Sequence, residues 1–269
     1  YHIMAPISAA EHHTETLRTA EIEVVIKYLP PPPATILEIG GGNGHSAFLL
    51  SEHGYSVRSI DVAPWPNVHR HPVEIYDGRT LPADDSSVDI VFSTNVLEHI
   101  VDLSLTMREV HRVLKPGGIA AHVVPTPAWR FWTTITYYPA LPFIIPKTID
   151  QIRAQRRIGA TAPAGVAASP ASTARAITPR RILKWVSTLA MSPRHGERGN
   201  RVTEAFYFRR AWWIALFERH RFEVNDMPLG IAYTGNILFG SALPIKTRKQ
   251  LALLFGSSTR LFVLHKKTR

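Results

Sequence analysis

Four of the five residues at positions 40–44 are glycine (Gly40-Gly41-Gly42-Asn43-Gly44), and they directly follow the apolar segment Thr35–Ile39, TILEI. A short apolar run rich in β-branched residues reads as a buried strand, and the glycines stop it abruptly. Helical spacing then resumes over Ser46–His53 and ends at Gly54, a common helix-terminating glycine. A strand that turns through glycines straight into a helix opens a parallel βαβ unit, so the chain is confined to an α/β architecture. Glycines also let backbone approach a ligand closely, and the helix start behind them offers free N–H groups.

The first half repeats this rhythm. Residues 14–29 place Leu17, Ala20, Ile22, Val25, Ile26 and Leu29 at mostly helical spacing before Pro30–Pro33 ends the helix. Strands are predicted at Ser56–Val62, Val73–Tyr76, Val88–Ser93 and Ile119–Val124, with a helix over 102–114 and a turn at Lys115-Pro116-Gly117-Gly118. Such alternation predicts a doubly wound, mostly parallel sheet with right-handed crossovers. Ligands of these sheets bind beyond the carboxyl ends of the strands, here the loops after Ile39, Val62, Tyr76 and Phe92.

After Val124 the rhythm breaks. Residues 125–146 mix five prolines with Trp129, Phe131, Trp132, Tyr137, Tyr138 and Phe143, and 159–178 are almost wholly Ala, Gly, Pro, Ser and Thr. The second stretch reads as a mobile low-complexity loop. Regularity returns with a helix over Arg209–His220 and strands over Phe222–Met227 and Arg260–His265. The organisation expected is therefore a cofactor-binding half at 1–124, an insertion or lid at 125–205, and a closing segment at 206–269.

Charge divides along the same line. Residues 1–146 hold 9 Lys/Arg against 15 Asp/Glu, whereas 147–269 hold 22 against 6. The basic half suits an anionic partner, either a phosphate-bearing acceptor, an anionic membrane surface or RNA; a solvated Arg-rich face is the bland alternative. With no cysteine, disulfides, zinc–thiolate sites and cysteine nucleophiles are excluded. No apolar run reaches the 18 residues of a membrane span, and residues 1–20 lack the apolar stretch of a secretory signal. The expected location is cytoplasmic, with peripheral contact to the inner membrane face.

A glycine loop alone does not name a ligand, because Gly42-Asn43-Gly44-His45-Ser46-Ala47 also fits the G-x-G-x-x-A form of nicotinamide enzymes. Three acids weigh against that reading. Glu38 precedes the first glycine and suits the cationic end of a sulfonium amino acid. Asp61 ends the second strand, 17 residues after Gly44, where a carboxylate can accept from two ribose hydroxyls. Asp77-Gly78 follows the third strand, placed for an adenine amino group. Singly, Asp61 is also a turn cap and Asp77-Gly78 an ordinary turn pair.

Together, ILEIGGGNG at 36–44, Asp61, YDGRTLPADDSSVDIVFSTNVLEH at 76–99 and LKPGG at 114–118 resemble the class I S-adenosylmethionine-dependent methyltransferases, the group that includes quinone and small-molecule methyltransferases. The resemblance implies a Rossmann-like, seven-stranded sheet with a late antiparallel strand, and S-adenosyl-L-methionine as cofactor. It places Glu38, Gly40, Gly42 and Gly44 around the methionine part, Asp61 and Val62 at the ribose, and Asp77, Gly78 and Arg79 at the adenine. Ser93, read on the loop after the fourth strand, is implied near the point of methyl delivery.

The acceptor is less legible. Methyl transfer needs alignment and, for a hydroxyl acceptor, a base. His99 lies beside the cofactor loops, with packing against the next helix as its alternative. His195-Gly196-Glu197 offers an imidazole and a carboxylate two residues apart, with a polar surface turn as its alternative. His69 and His71 lack a carboxylate cluster, so no metal site is expected. The aromatic run 129–143 and the basic segment Arg180–Val186 suit an apolar pocket or a membrane surface, or simply a core beneath a lid. The sequence thus points to methyl transfer to oxygen of a small or lipid-linked, glycan- or phosphate-bearing acceptor. A quinone-like lipid, an RNA, and a non-catalytic role in binding S-adenosylmethionine stand as alternatives.

Overall fold

The computed structural model describes residues 9–65, 70–142, 192–236 and 243–267. The low-complexity stretch 159–178, the segment Arg180–Val186, Phe143 and His69 lie outside them.

Seven strands form one sheet: β1 (Thr35–Ile39), β2 (Ser56–Asp61), β3 (Val73–Ile75), β4 (Val88–Thr94), β5 (Leu114–Pro125), β6 (Phe222–Pro228) and β7 (Thr259–Lys266). Their order is β3-β2-β1-β4-β5-β7-β6. The strands β1 to β5 pair in parallel, and β7 inserts antiparallel between β5 and β6. This is a Rossmann-like, doubly wound sheet with the late antiparallel strand that the sequence resemblance implies. The chain winds outward from β1 to β3 and then returns across β1 to lay down β4, so the strand order reverses between β1 and β4. A crevice at their carboxyl ends follows from that reversal.

Helices cover both faces: α1 (Ala9–Val25), α2 (His45–Glu52), α3 (Leu103–Val113), α4 (127–142), α5 (Glu204–Tyr207), α6 (Arg210–Arg219) and α7 (Ile245–Phe255). Strand residues alternate between the two sides. Ile36, Ile90 and Phe92 pack with Ile22, Val25 and Leu50 of α1 and α2. Leu37, Ile39 and Val91 pack with Met107 and Val110 of α3 and Trp213 and Phe217 of α6. α3 is well specified: the Asp102 side chain accepts from Leu105 N at 2.9 Å, capping its first turn, and Leu103, Met107, Val110 and Val113 form a buried stripe. Among the described residues no helix is long and apolar enough to cross a membrane.

Three elements depart from the sequence reading. Lys115–Gly118, expected as a free turn, lies within β5 as a break in register, because Val88 pairs with Leu114 while Ile90 pairs with Ile119. The proline-punctuated start of the expected lid is helical over 127–142, since Pro127 falls at the first helical position, where a missing N–H costs nothing. α7 was not expected.

Candidate functional site

The glycine loop is held from beneath. Gly40 N and Gly41 N both donate to Ile60 O, at 2.8 and 3.0 Å, and Gly44 N donates to Gly41 O at 2.8 Å. Two glycines are required by space as well as by turn. A Cβ at Gly41 would stand 2.0 Å from Ser59 Oγ, and one at Gly40, where φ is +78°, would stand 2.3 Å from Val96 Cγ2. At Gly42 a Cβ would meet only Trp65, at 3.9 Å, so the loop's outer side opens to a cavity.

Asp61 locks this loop. Its Oδ2 accepts from Gly42 N at 2.9 Å and its Oδ1 from Val62 N at 2.7 Å. Each oxygen retains a second lone pair for an outside donor. Behind the loop Glu38, 1% exposed, accepts from Ser59 Oγ at 2.6 Å. Burial, reinforced by the nearby Asp61 charge and opposed by the Ser59 hydrogen bond, pushes the Glu38 carboxyl up to about 7. Asp77 Oδ1 accepts from Arg79 N and Thr80 N, both at 2.8 Å, and these bonds hold its carboxyl below the usual range. Val62 is 60% exposed and packs close to Gly78, leaving an open apolar surface beside the Asp77 turn.

α1 roofs the loop. Glu15 accepts from Arg70 Nε and Nη2 at 2.8 and 2.7 Å and from Asn43 Nδ2 at 3.1 Å. Arg18, beside Asn95, pairs with Glu21, which also accepts from Tyr233 Oη at 3.1 Å. Between roof and loop lies a cavity of about 310 Å³ lined by Thr14, Arg18, Gly40, Gly42, Trp65 and Thr94. A second, of about 300 Å³, shares Thr14 and Arg18 with the first and extends to Asn95, Trp129 and His195. A larger hollow, about 650 Å³, opens beside Thr35 and Ser56 at the amino ends of the strands, the wrong end of a parallel sheet for a ligand site.

The structure therefore gathers Glu38, Gly40, Gly42, Gly44, Asp61, Val62, Asp77, Gly78 and Arg79 at one end of the sheet. Ser93 is not among the surface groups: β4 runs through it to Thr94, and its fully buried side chain shares a 2.8 Å hydrogen bond with His122 Nδ1 on the α6 face. The next residue, Thr94, is the one that reaches the cavity. His122 stacks on Phe217, and burial drives its imidazole down to about 3.

The two histidines read as separate candidates come together. His99 and His195 are 4.6 Å apart between ring centroids, and His195 also lies 4.5 Å from the Trp129 ring. Burial holds the His99 imidazole below its usual range. Glu197 does not join them; it pairs with Arg194 at 3.2 Å on the surface. The carboxylates that do are Glu98, with Oε1 3.6 Å from His195 Nε2, and Glu204, which accepts from His195 N at 2.7 Å and pairs with Arg130 at 3.0 Å. Glu98 could have been suspected as a charged residue in an apolar stretch. Glu204 carries no sequence signal that links it to the site.

Residues 37–122 match the family model described as a methyltransferase domain. An uncharacterized methyltransferase of Mycobacterium sp. strain KMS is 36% identical over 98 residues, covering 34% of this chain and 38% of that protein. One from Mycobacterium tuberculosis strain H37Rv is 37% identical over 100 residues, covering 34% and 39%. The chain spans about two-fifths of the length of these curated relatives. Among solved structures, one from Listeria monocytogenes assigned as an S-adenosylmethionine-dependent methyltransferase has a TM-score of 0.51 at 14% identity, covering 94% of this chain and 99% of its own. The geranyl diphosphate C-methyltransferase of Streptomyces coelicolor A3(2) has 0.50 at 14%, covering 96% and 82%. These last two are similar in fold. Residues 37–122 thus match a methyltransferase domain, on a sheet whose fold is that of a solved S-adenosylmethionine-dependent methyltransferase.

Proposed function

We propose that the protein transfers a methyl group from S-adenosylmethionine to an oxygen of a small or lipid-linked acceptor bearing a phosphate or other anionic group. The observation that carries this reading is the pair of neighbouring cavities that share Thr14 and Arg18, one on the glycine loop and one ending at His195. The open side of Gly42, the buried Glu38 carboxyl, the Asp61 carboxylate and the Asp77 turn fit a sulfonium nucleoside. In this reading Glu38 and the loop N–H groups hold the amino-acid end, Asp61 and Val62 the ribose, and Asp77, Gly78 and Arg79 the adenine. When bound, the cofactor supplies a methyl carbon already activated by the sulfonium.

The chain's own part is alignment and proton handling. His195 projects into the second cavity, where it can take the acceptor's hydroxyl proton; its backbone is fixed by Glu204 and its ring by Trp129. The positive charge of the second half, 22 Lys/Arg against 6 Asp/Glu, supports an anionic acceptor. Contact with an anionic membrane surface belongs to the same proposal, while nucleic acid as acceptor is the lesser reading.

An acceptor screen by mass, with cell-envelope glycans, phosphorylated sugars and quinol-like phenols, tests the assignment. A gain of one methyl on an oxygen supports it. Turnover exclusively on RNA, or cofactor binding without turnover on any class, refutes it.

A further inference from the structure

Among the described residues Glu98 stands out, because its side chain is 1% exposed and both of its carboxylate oxygens are buried without a hydrogen-bond partner. A buried charge left unpaired is costly by several kcal/mol, so something is expected to answer it. Two imidazoles face it. His195 Nε2 lies 3.6 Å and His99 Nε2 3.9 Å from Oε1, and one ligating atom from each of Glu98, His99 and His195 falls within 4.8 Å of the others.

We propose that Glu98, His99 and His195 form a divalent transition-metal site, of the zinc, manganese or cobalt class, at the edge of the second cavity. Two imidazoles and a carboxylate are a known donor set for a catalytic ion that keeps open coordination positions. Donors bound at about 2.1 Å in tetrahedral geometry stand roughly 3.4 Å apart. The carboxylate–imidazole separations of 3.6 and 3.9 Å need to close by about 0.2–0.5 Å, and all three ligating atoms lie within 4.8 Å of one another, so rotation of the two imidazole rings completes the set. The surroundings are built for such closeness. Gly196 lets the 195–197 segment pass against Glu98, where a Cβ would stand 2.9 Å from Glu98 O, and Glu197 N donates to that oxygen at 2.8 Å. Gly196 N and His195 N both donate to Glu204 Oε1, at 2.6 and 2.7 Å, fixing the backbone that carries the third ligand. His195 brings the site to the edge of the cavity that reaches Arg18 and Asn95.

The inference rests on oxygen methylation and deepens it: with its Nε2 on the cation, His195 acts as a ligand, and the ion replaces it as the group that activates the acceptor hydroxyl. An acceptor hydroxyl bound to the cation loses its proton more readily. The proton passes to solvent, the oxygen–methyl bond forms as the sulfur–methyl bond breaks, and S-adenosylhomocysteine leaves with both electrons of that bond. No oxidant or reductant enters.

The test uses the full chain, stripped with chelator and titrated with Co²⁺ and Zn²⁺ by calorimetry and, for Co²⁺, by visible absorption. S-adenosylmethionine binding is measured on the same samples. Wild type should bind one ion and show the cobalt bands of a low-coordinate nitrogen–oxygen site. His195→Ala and Glu98→Gln should each weaken binding at least tenfold, and Glu197→Ala, outside the cluster, should bind as wild type does. Circular dichroism and retained cofactor binding identify folded variants; His99→Gln serves if Glu98→Gln does not fold. Failure of wild type to take either ion, or binding unmoved by all cluster variants, overturns the metal site while leaving methyl transfer standing. Absence of cofactor binding in wild type removes instead the reading on which it rests.

Discussion

Glu38 gives the site a pH dependence that can be worked from its surroundings. With the folded carboxyl raised from the ordinary 4.5 to about 7, the folded protein holds, between those values, a proton the unfolded chain has released. Stability from this group is therefore fully present below about pH 4.5 and is lost as pH rises through 7, a cost of roughly 3 kcal/mol by pH 8. The cationic amino group of S-adenosylmethionine favours the charged carboxylate and reverses the preference. Cofactor binding should release a proton near neutrality, and affinity should fall about tenfold between pH 8 and pH 6. Glu38→Gln keeps an acceptor for Ser59 and removes the charge, so it should flatten both profiles, raise unliganded stability at pH 8 and weaken cofactor binding. Thermal unfolding and calorimetry across pH 5.5–8.5, in two buffers of different ionisation enthalpy, read all of these. A Glu38→Gln protein that keeps the wild-type pH profile would refute the reasoning.

Asp61→Ala leaves the Gly42 and Val62 N–H groups without their acceptor and should lower cofactor affinity by about 1–3 kcal/mol; unchanged affinity by calorimetry counts against the ribose assignment. Gly40→Ala combines a left-handed φ with a collision against Val96 and should destabilise the fold by about 1–3 kcal/mol, read as a drop in the urea midpoint. Ser93→Ala removes a buried partner of His122 and should cost about 1–2 kcal/mol of stability with cofactor affinity unaltered, since the side chain faces α6; selective loss of binding would place Ser93 at the cofactor instead.

The parallel half of the sheet was legible because its signals are local: a glycine run after a strand, acids at strand ends, and helices with apolar stripes. Even α1, whose role as roof over the glycine loop has no local mark, was recognisable as a helix. Signals failed where structure depends on distant contacts. Pro127 and the aromatic residues that follow looked like irregular chain until packing made them a helix. Ser93 was placed on a loop because the length of β4 is set by its pairing with β5. His195 was matched with Glu197 because they are close in sequence, whereas the fold turns Glu197 outward and sets Glu98, 97 residues earlier, against the imidazole. A constellation assembled from β4's loop and a segment beyond α4 has no spacing rule by which sequence could announce it.

The central claim is that a sulfonium nucleoside occupies the carboxyl ends of β1, β2 and β3. A crystal structure with S-adenosylhomocysteine tests it most directly. The account predicts ribose hydroxyls on Asp61, the base between Val62 and the Asp77–Arg79 turn, and the homocysteine amino group near Glu38 over Gly40–Gly42. A nucleoside found at the amino ends of the strands, or with Asp61 turned from its sugar, would contradict it.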